Sequence, residues 1–174
     1  MKFNPTDLPY RKAVHVYIFD DTFEHLLIVR HAGNRHTGNN EWSIPGGGIE
    51  GDELPLEAAI REVREEFQIE IELLFKSDHS RRYDWSESFM KTYYKDRKLL
   101  YRGQEKIPFI AKYHGPLEQL KVDKAEIVEF KWVMMSEISQ YFVAGDSRLE
   151  NIMHVFGDID SLYNTNLSDF LIKS

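Results

Sequence analysis

Three glutamates, Glu62, Glu65 and Glu66, crowd the end of a stretch that reads GGIEGDELPLEAAIREVREEFQI from Gly47 to Ile69. Like charges on neighbouring helical turns repel and mildly destabilise the helix. A divalent ion relieves that repulsion, and Mg²⁺ takes oxygen ligands from carboxylates and substrate phosphates. Just upstream, Pro45-Gly46-Gly47-Gly48 is a turn signal. Its glycines permit the close backbone approach that a pyrophosphate or a metal requires. The bland alternative is a solvated helix face. It fits poorly, because no lysine lies on the glutamate arc and Arg61 stands at i,i+4 to Glu65. The pattern points to metal-assisted phosphate chemistry.

The spacing G-x5-E-x7-R-E-U-x-E-E-x-x-U, with U apolar, is met by Gly47, Glu53, Arg61, Glu62, Val63, Glu65, Glu66 and Ile69. It resembles the Nudix box of hydrolases that act on nucleoside diphosphate-linked substrates. The resemblance implies that Glu62, Glu65 and Glu66 bind one or more Mg²⁺ or Mn²⁺ ions, with a backbone carbonyl of the Gly46–Gly48 turn as a further donor. Such ions clamp bridging phosphates and lower the pKa of the attacking water, and one glutamate outside the tightest shell takes its proton. It further implies that Glu53 and Arg61 orient the loop and the metal-binding glutamates. Two positions depart from the family. Gln68 stands where a helix-ending glycine is usual, and a left-handed cap without glycine costs roughly 1–2 kcal/mol. Asp52 replaces a common loop glycine. Neither removes a catalytic group.

Outside the box, Gly103-Gln104-Glu105-Lys106-Ile107-Pro108-Phe109 is similar to a segment of diadenosine polyphosphate hydrolases and RNA pyrophosphohydrolases, although Pro108 stands where they carry tryptophan. Ala125 to Val133 resembles their stretch ending in W-V, which implies that Glu126 is a fourth carboxylate reaching the metals from a distant loop. Trp132 in the same stretch reads as core packing. The tract Arg81-Arg82-Tyr83-Asp84-Trp85 mixes cations with aromatics, the groups that hold phosphates by charge and a base by stacking. An exposed hairpin with ordinary packing explains that tract equally well. The seven histidines show no metal-ligand spacing, and His31 and His36 read as loop or surface residues.

The elements that position these groups follow from periodicity. Alternation predicts strands at 13–19, 26–29, 69–75, 107–113 and 127–133, a short one at 42–44, and a hairpin of 89–94 with 99–102. A helix starts at Pro55, which suits a first helical turn, and Leu56, Ala59, Ile60, Val63 and Phe67 recur at helical spacing. At about 100° per residue the glutamates fall beside that apolar stripe, so the helix buries one face and presents carboxylates on the next. His31 to Asn40 reads as a mobile Gly/Asn loop. Ser136 reads as the N-cap of a helix through Phe142, and Leu149, Ile152, Met153 and Phe156 mark another helix. The expected class is α+β, a mixed sheet between helices, as one Nudix-type domain over residues 1–174.

Composition narrows the partners. A net charge of −7 argues against sequence-independent nucleic-acid binding, which needs Lys and Arg on phosphates, so DNA is not expected. It leaves a small phosphorylated ligand open, since metal ions supply local positive charge. No apolar run reaches a membrane span, the first residues lack the apolar core of a signal peptide, and zero cysteines suit a reducing cytosol. The expectation is a cytoplasmic, Mg²⁺-dependent pyrophosphohydrolase acting on a dinucleoside polyphosphate or the 5′-triphosphate end of RNA. The alternatives are a nucleoside triphosphate or dihydroneopterin triphosphate pyrophosphatase, and a catalytically silent nucleotide-binding module.

Overall fold

A strand whose two faces are both apolar must serve two cores, and Tyr10–Phe19 is such a strand. Val14, Val16 and Ile18 enter one buried cluster while Tyr17 and Phe19 enter another, as two-residue alternation requires. The computed structural model describes residues 7–32, 42–87, 89–90, 100–142 and 147–167. Its strands are β1 (Tyr10–Phe19), β2 (His25–His31), β3 (Glu72–Lys76), β4 (Arg81–Asp84), β5 (Gly103–Lys112) and β6 (Ile127–Met134), and its long helices are α1 (Pro55–Phe67) and α2 (Ser147–Tyr163).

The sheet runs β3-β5-β1-β2-β6, with β4 also paired to β5. The β1–β5 pair is parallel and the others are antiparallel. β5 is long enough to take β4 along Gly103–Lys106 and β3 along Phe109–Lys112. Gly103 is where β4 comes closest, because a Cβ there would collide with the Tyr83 carbonyl. One face packs Ala58, Ala59, Val63 and Phe67 of α1 against Val14, Val16, Leu27 and Val29. The other packs Ile152, Val155, Phe156 and Ile159 of α2 against Phe19, Leu26, Ile28 and Ile110. The class is α+β, a mixed sheet between helices.

The glutamate-bearing helix begins and ends where the sequence says it should. Pro55 opens it, and the Glu57 carboxylate accepts the Leu54 N–H at 2.9 Å, half of a capping box. It closes on Gln68 in the left-handed conformation (φ 54°, ψ 35°), whose N–H still bonds to the Arg64 carbonyl at 2.9 Å. The missing glycine therefore does not shift the helix end.

Several expectations change. Phe89 and Met90 are helical, with the Met90 N–H on the Ser86 carbonyl at 3.0 Å, and 100–102 are not a strand. β5 instead takes its neighbour from Arg81–Asp84, and the rest of the expected hairpin lies outside the described residues. Ser136 lies inside a 3-10 stretch, Met135–Gln140, that starts without a side-chain cap. Residues 42–44 contribute a single bridge, Ser43 to Val29, rather than a strand. His31 ends β2 with its ring partly covered, so it is not a loop histidine, while His36 lies outside the described residues. Trp132 packs on the α1-side cluster, stacked on Tyr113.

Gln68→Gly should stabilise the protein by about 0.5–1 kcal/mol, the left-handed strain removed less the extra chain entropy of glycine. Melting should move up by about 1–4 °C. An unchanged or lower melting temperature would show that Gln68 carries contacts that offset its backbone strain.

Candidate active site

The glycine turn is laid onto β1 as an extra strand segment. Pro45 and Gly47 carbonyls accept the Val16 and Val14 N–H groups at 2.8 Å each, and the Lys12 carbonyl accepts the Ile49 N–H at 3.0 Å. Gly46 sits at φ +133°, and any Cβ there would strike the Val14 carbonyl. A Cβ on Gly47 would overlap the Glu62 carboxylate. The glycines are therefore required by the approach of β1 on one side and α1 on the other.

Arg61 locks turn to helix. Its guanidinium reaches Glu53 through Nε and one Nη at 2.8 and 3.0 Å, and gives the Gly48 carbonyl a bond of 2.9 Å. The other Nη donates to Glu62 at 3.0 Å and to Glu65 at 2.8 Å. Hydrogen bonding to Glu53 raises the Arg61 pKa further, and the same contact lowers that of Glu53.

Glu62, Glu66 and Glu126 each offer a carboxylate oxygen, and the three oxygens lie within 4.8 Å of one another. Glu66 is only 1% exposed. It accepts the Gly46 N–H at 3.2 Å, and its other oxygen faces His31 Nδ1 at 3.5 Å. Glu126 comes from a distant loop that is tied to the same helix. The Asp123 N–H bonds to the Glu66 carbonyl at 2.9 Å, and the Asp123 carbonyl takes the N–H groups of Glu126 and Ile127 at 3.0 and 2.8 Å. Ala32 at the end of β2 then holds the Glu126 carbonyl at 2.6 Å.

This arrangement costs charge energy. Burial, then the neighbouring Glu62, holds the Glu66 pKa well above the usual carboxylate range, and burial raises Glu62 too. Burial pushes His31 down to about 4 and His15 well below its ordinary value, so both rings are neutral near pH 7. Crowded oxygen donors, two of them buried and Glu126 exposed, fit a hard divalent cation. Glu65 lies one position away on the helix surface, half exposed and held by Arg61.

Strand alternation divides the Arg81–Trp85 tract. Arg81 and Tyr83 pair with Lys106 and Gln104 of β5, on the sheet face of His15 and Tyr17. Arg82 is on the other face, bonded to Glu105 at 2.7 Å and over the Tyr10 ring. Trp85 meets Phe89 edge-on at 5.0 Å.

A family model described as NUDIX domain matches residues 9–153. The chain belongs to the Nudix family. It is 29% identical to the RNA pyrophosphohydrolase of Bartonella henselae over 153 residues, 81% of this chain and 86% of that one. It is 31% identical to the RNA pyrophosphohydrolase of Zymomonas mobilis over 143 residues, 79% and 88% of the two chains. Among solved structures it resembles E. coli dihydroneopterin triphosphate pyrophosphohydrolase (TM-score 0.60, 17% identity, 81% of this chain and 93% of that one). It also resembles a C. elegans Ap4A hydrolase binary complex (TM-score 0.57, 17% identity, 85% and 98%). Those two likenesses concern the Nudix fold.

Sequence reading of the Nudix box missed His15, His31, Arg11 and Lys106. His31 continues the Leu27, Val29 alternation of β2, a signal that was available. Arg11 lies where a Cβ on Gly48 would fall, which no linear pattern announces.

Protons and a divalent ion compete for the same carboxylates, because the folded protein binds the Glu66 proton more tightly than the unfolded chain does. Stabilisation by Mg²⁺ should therefore be small at pH 5.5 and grow towards pH 8. There it should reach about 5–10 °C once the ion exceeds its dissociation constant a hundredfold. Thermal melts with and without Mg²⁺ across that range check it, and a gain independent of pH would place the ion elsewhere.

Proposed function

We propose that this Nudix hydrolase cleaves the 5′-triphosphate end of RNA or a dinucleoside polyphosphate, using Mg²⁺ or Mn²⁺ held by Glu62, Glu66 and Glu126. The enzyme class, a hydrolase of phosphoric anhydride bonds, follows from the family. The observation that carries the reading is the trio of carboxylates against the glycine turn, with Glu62 and Glu66 buried and Glu126 exposed. The RNA pyrophosphohydrolases that align with most of the chain support a phosphorylated RNA end as substrate. The whole chain, 1–174, is proposed to work as one domain in the cytosol. Among the described residues, no helix is long and apolar enough to cross a membrane.

Glu62, Glu66 and Glu126 would hold a divalent ion, which would supply charge to offset the phosphates and lower the pKa of a water. The chain's own residues do the rest. Gly46 and Gly47 let β1 and α1 close on the turn, and the Gly46 N–H fixes the Glu66 carboxylate. Arg61 and Glu53 hold the turn at a set distance from the helix. Glu65, kept outside the trio by Arg61, accepts the proton of the attacking water. On the sheet face away from α1, Arg81 and Arg148 act on Tyr83, and Arg148 also acts on His15. That cationic, aromatic face suits the nucleotide beyond the scissile link, and substrate contact is assigned to Arg81 and Tyr83 rather than to Arg82 or Trp85.

A panel of 5′-triphosphorylated oligoribonucleotide, diadenosine tetraphosphate, nucleoside triphosphates and dihydroneopterin triphosphate, with products identified by mass, tests the substrate. Turnover confined to the last two would overturn the assignment. Glu66→Gln and Glu65→Gln should each lower kcat about a hundredfold or more, as removal of a group acting on the transition state does. Only Glu66→Gln should also abolish the Mg²⁺-dependent rise in melting temperature, which separates an ion ligand from a proton acceptor. Loss of that rise in Glu65→Gln would make Glu65 a ligand.

A further inference from the structure

Lys106 is a half-buried cation of β5 whose ammonium forms no hydrogen bond or ion pair with another described residue. Its register fixes its direction. It pairs with Ala13 of β1 and Arg81 of β4, and Ala13 is itself bridged to Gly48 of the glycine turn. Residues paired across strands share a face. Lys106 thus stands with Arg11, His15, Arg81 and Tyr83 on the face away from α1, beside the turn that separates it from the carboxylate trio. Its charge acts on Glu66, Glu62, His15 and His31.

Taking an ammonium out of water is costly unless an anion compensates it. In the metal-free protein, the pull of Glu66 and Glu62 partly offsets the burial that brings the Lys106 pKa down to about 8. A divalent ion on the trio cancels that pull. Arg11 on the same face repels Lys106 further. Among the described residues no carboxylate lies within ion-pair distance of the lysine, and the anion that arrives with the ion is the substrate's phosphate chain.

We propose that Lys106 is a substrate-binding residue that takes a non-bridging phosphate oxygen, reaching the polyphosphate from the sheet face opposite the metal-binding helix. This rests on the reading of the trio as the metal site of a nucleoside polyphosphate hydrolase. Lys106 binds phosphate as a mobile point charge, so it contributes to ground-state affinity and reads phosphate rather than base. The competing role is structural, in which Lys106 only balances the buried charge of Glu66.

The two roles separate in Lys106→Met, with Lys106→Arg as the charge-conserving variant and Lys106→Gln as the substitute if the methionine variant does not fold. Binding of an ATP analogue in which both the α,β and the β,γ bridging oxygens are replaced by methylene is measured by calorimetry with Mg²⁺, alongside KM and kcat for the best substrate of the wild-type panel. Loss of a hydrogen bond to a charged group should weaken analogue binding and raise KM by about ten- to a hundredfold. kcat should fall much less, and Lys106→Arg should recover most of the affinity. The Mg²⁺-dependent rise in melting temperature should persist or increase, since a repelling cation is gone. Unchanged analogue binding and KM, with lower metal-free stability, would overturn the proposal in favour of charge balance. A wild-type protein that neither binds nor hydrolyses any polyphosphate nucleotide would instead overturn the functional reading beneath it.

Discussion

The Arg61 guanidinium is the contact on which the site depends. Its planar fork of donors meets a loop carboxylate, a turn carbonyl and two helix carboxylates at once. Without it, the turn and α1 would be two surfaces carrying like charge. With it, Gly47 lies flat against the Glu62 carboxylate, and the Glu66 side chain reaches the Gly46 N–H. The planar geometry matters as much as the charge, because a lysine cannot span these acceptors. The motif therefore commits Arg61 to architecture, which leaves the trio short of positive charge.

That shortage explains how a chain of net charge −7 handles polyanions. Overall charge repels a phosphate chain, but the site is divided by sign. Acid gathers on α1 and the Glu126 loop, while lysine and arginine gather on the opposite sheet face around His15 and Tyr83. The glycine turn is the thin wall between them. A polyphosphate with its divalent ions matches both halves, whereas either half alone would bind simple ions weakly.

The placement of Glu126 shows how tertiary contact completes chemistry begun locally. Asp123 caps the last turn of α1 by bonding to the Glu66 carbonyl, and its own carbonyl and carboxylate fold the next residues back. Helix end and carboxylate loop are joined by these bonds, so the third carboxylate is positioned by the helix that carries the other two. The fold itself is shared with enzymes named for different substrates, and fold does not decide substrate.

What the chain determined by itself is the local chemistry. Pro55, the apolar repeat through Phe67 and the glutamate spacing made α1 and its carboxylate edge legible, because helix periodicity, capping and i,i+4 charge contacts all act within a few residues. The order of strands and flanking helices likewise announced a mixed sheet packed between helices. The expected strand at Phe89 was misread, since aromatic residues promote strands only where a partner offers itself, and β5 took Arg81–Asp84 instead. Pairing also decided the fate of Arg81 to Trp85. Read linearly they form one cationic, aromatic tract, yet in a strand their side chains alternate, and Arg82 faces away from Arg81 and Tyr83. His31, Arg11 and Lys106 gain meaning only from neighbours far away in sequence. Burial and the summed field of carboxylates set their protonation, and those quantities exist only once the sheet, turn and helix have come together.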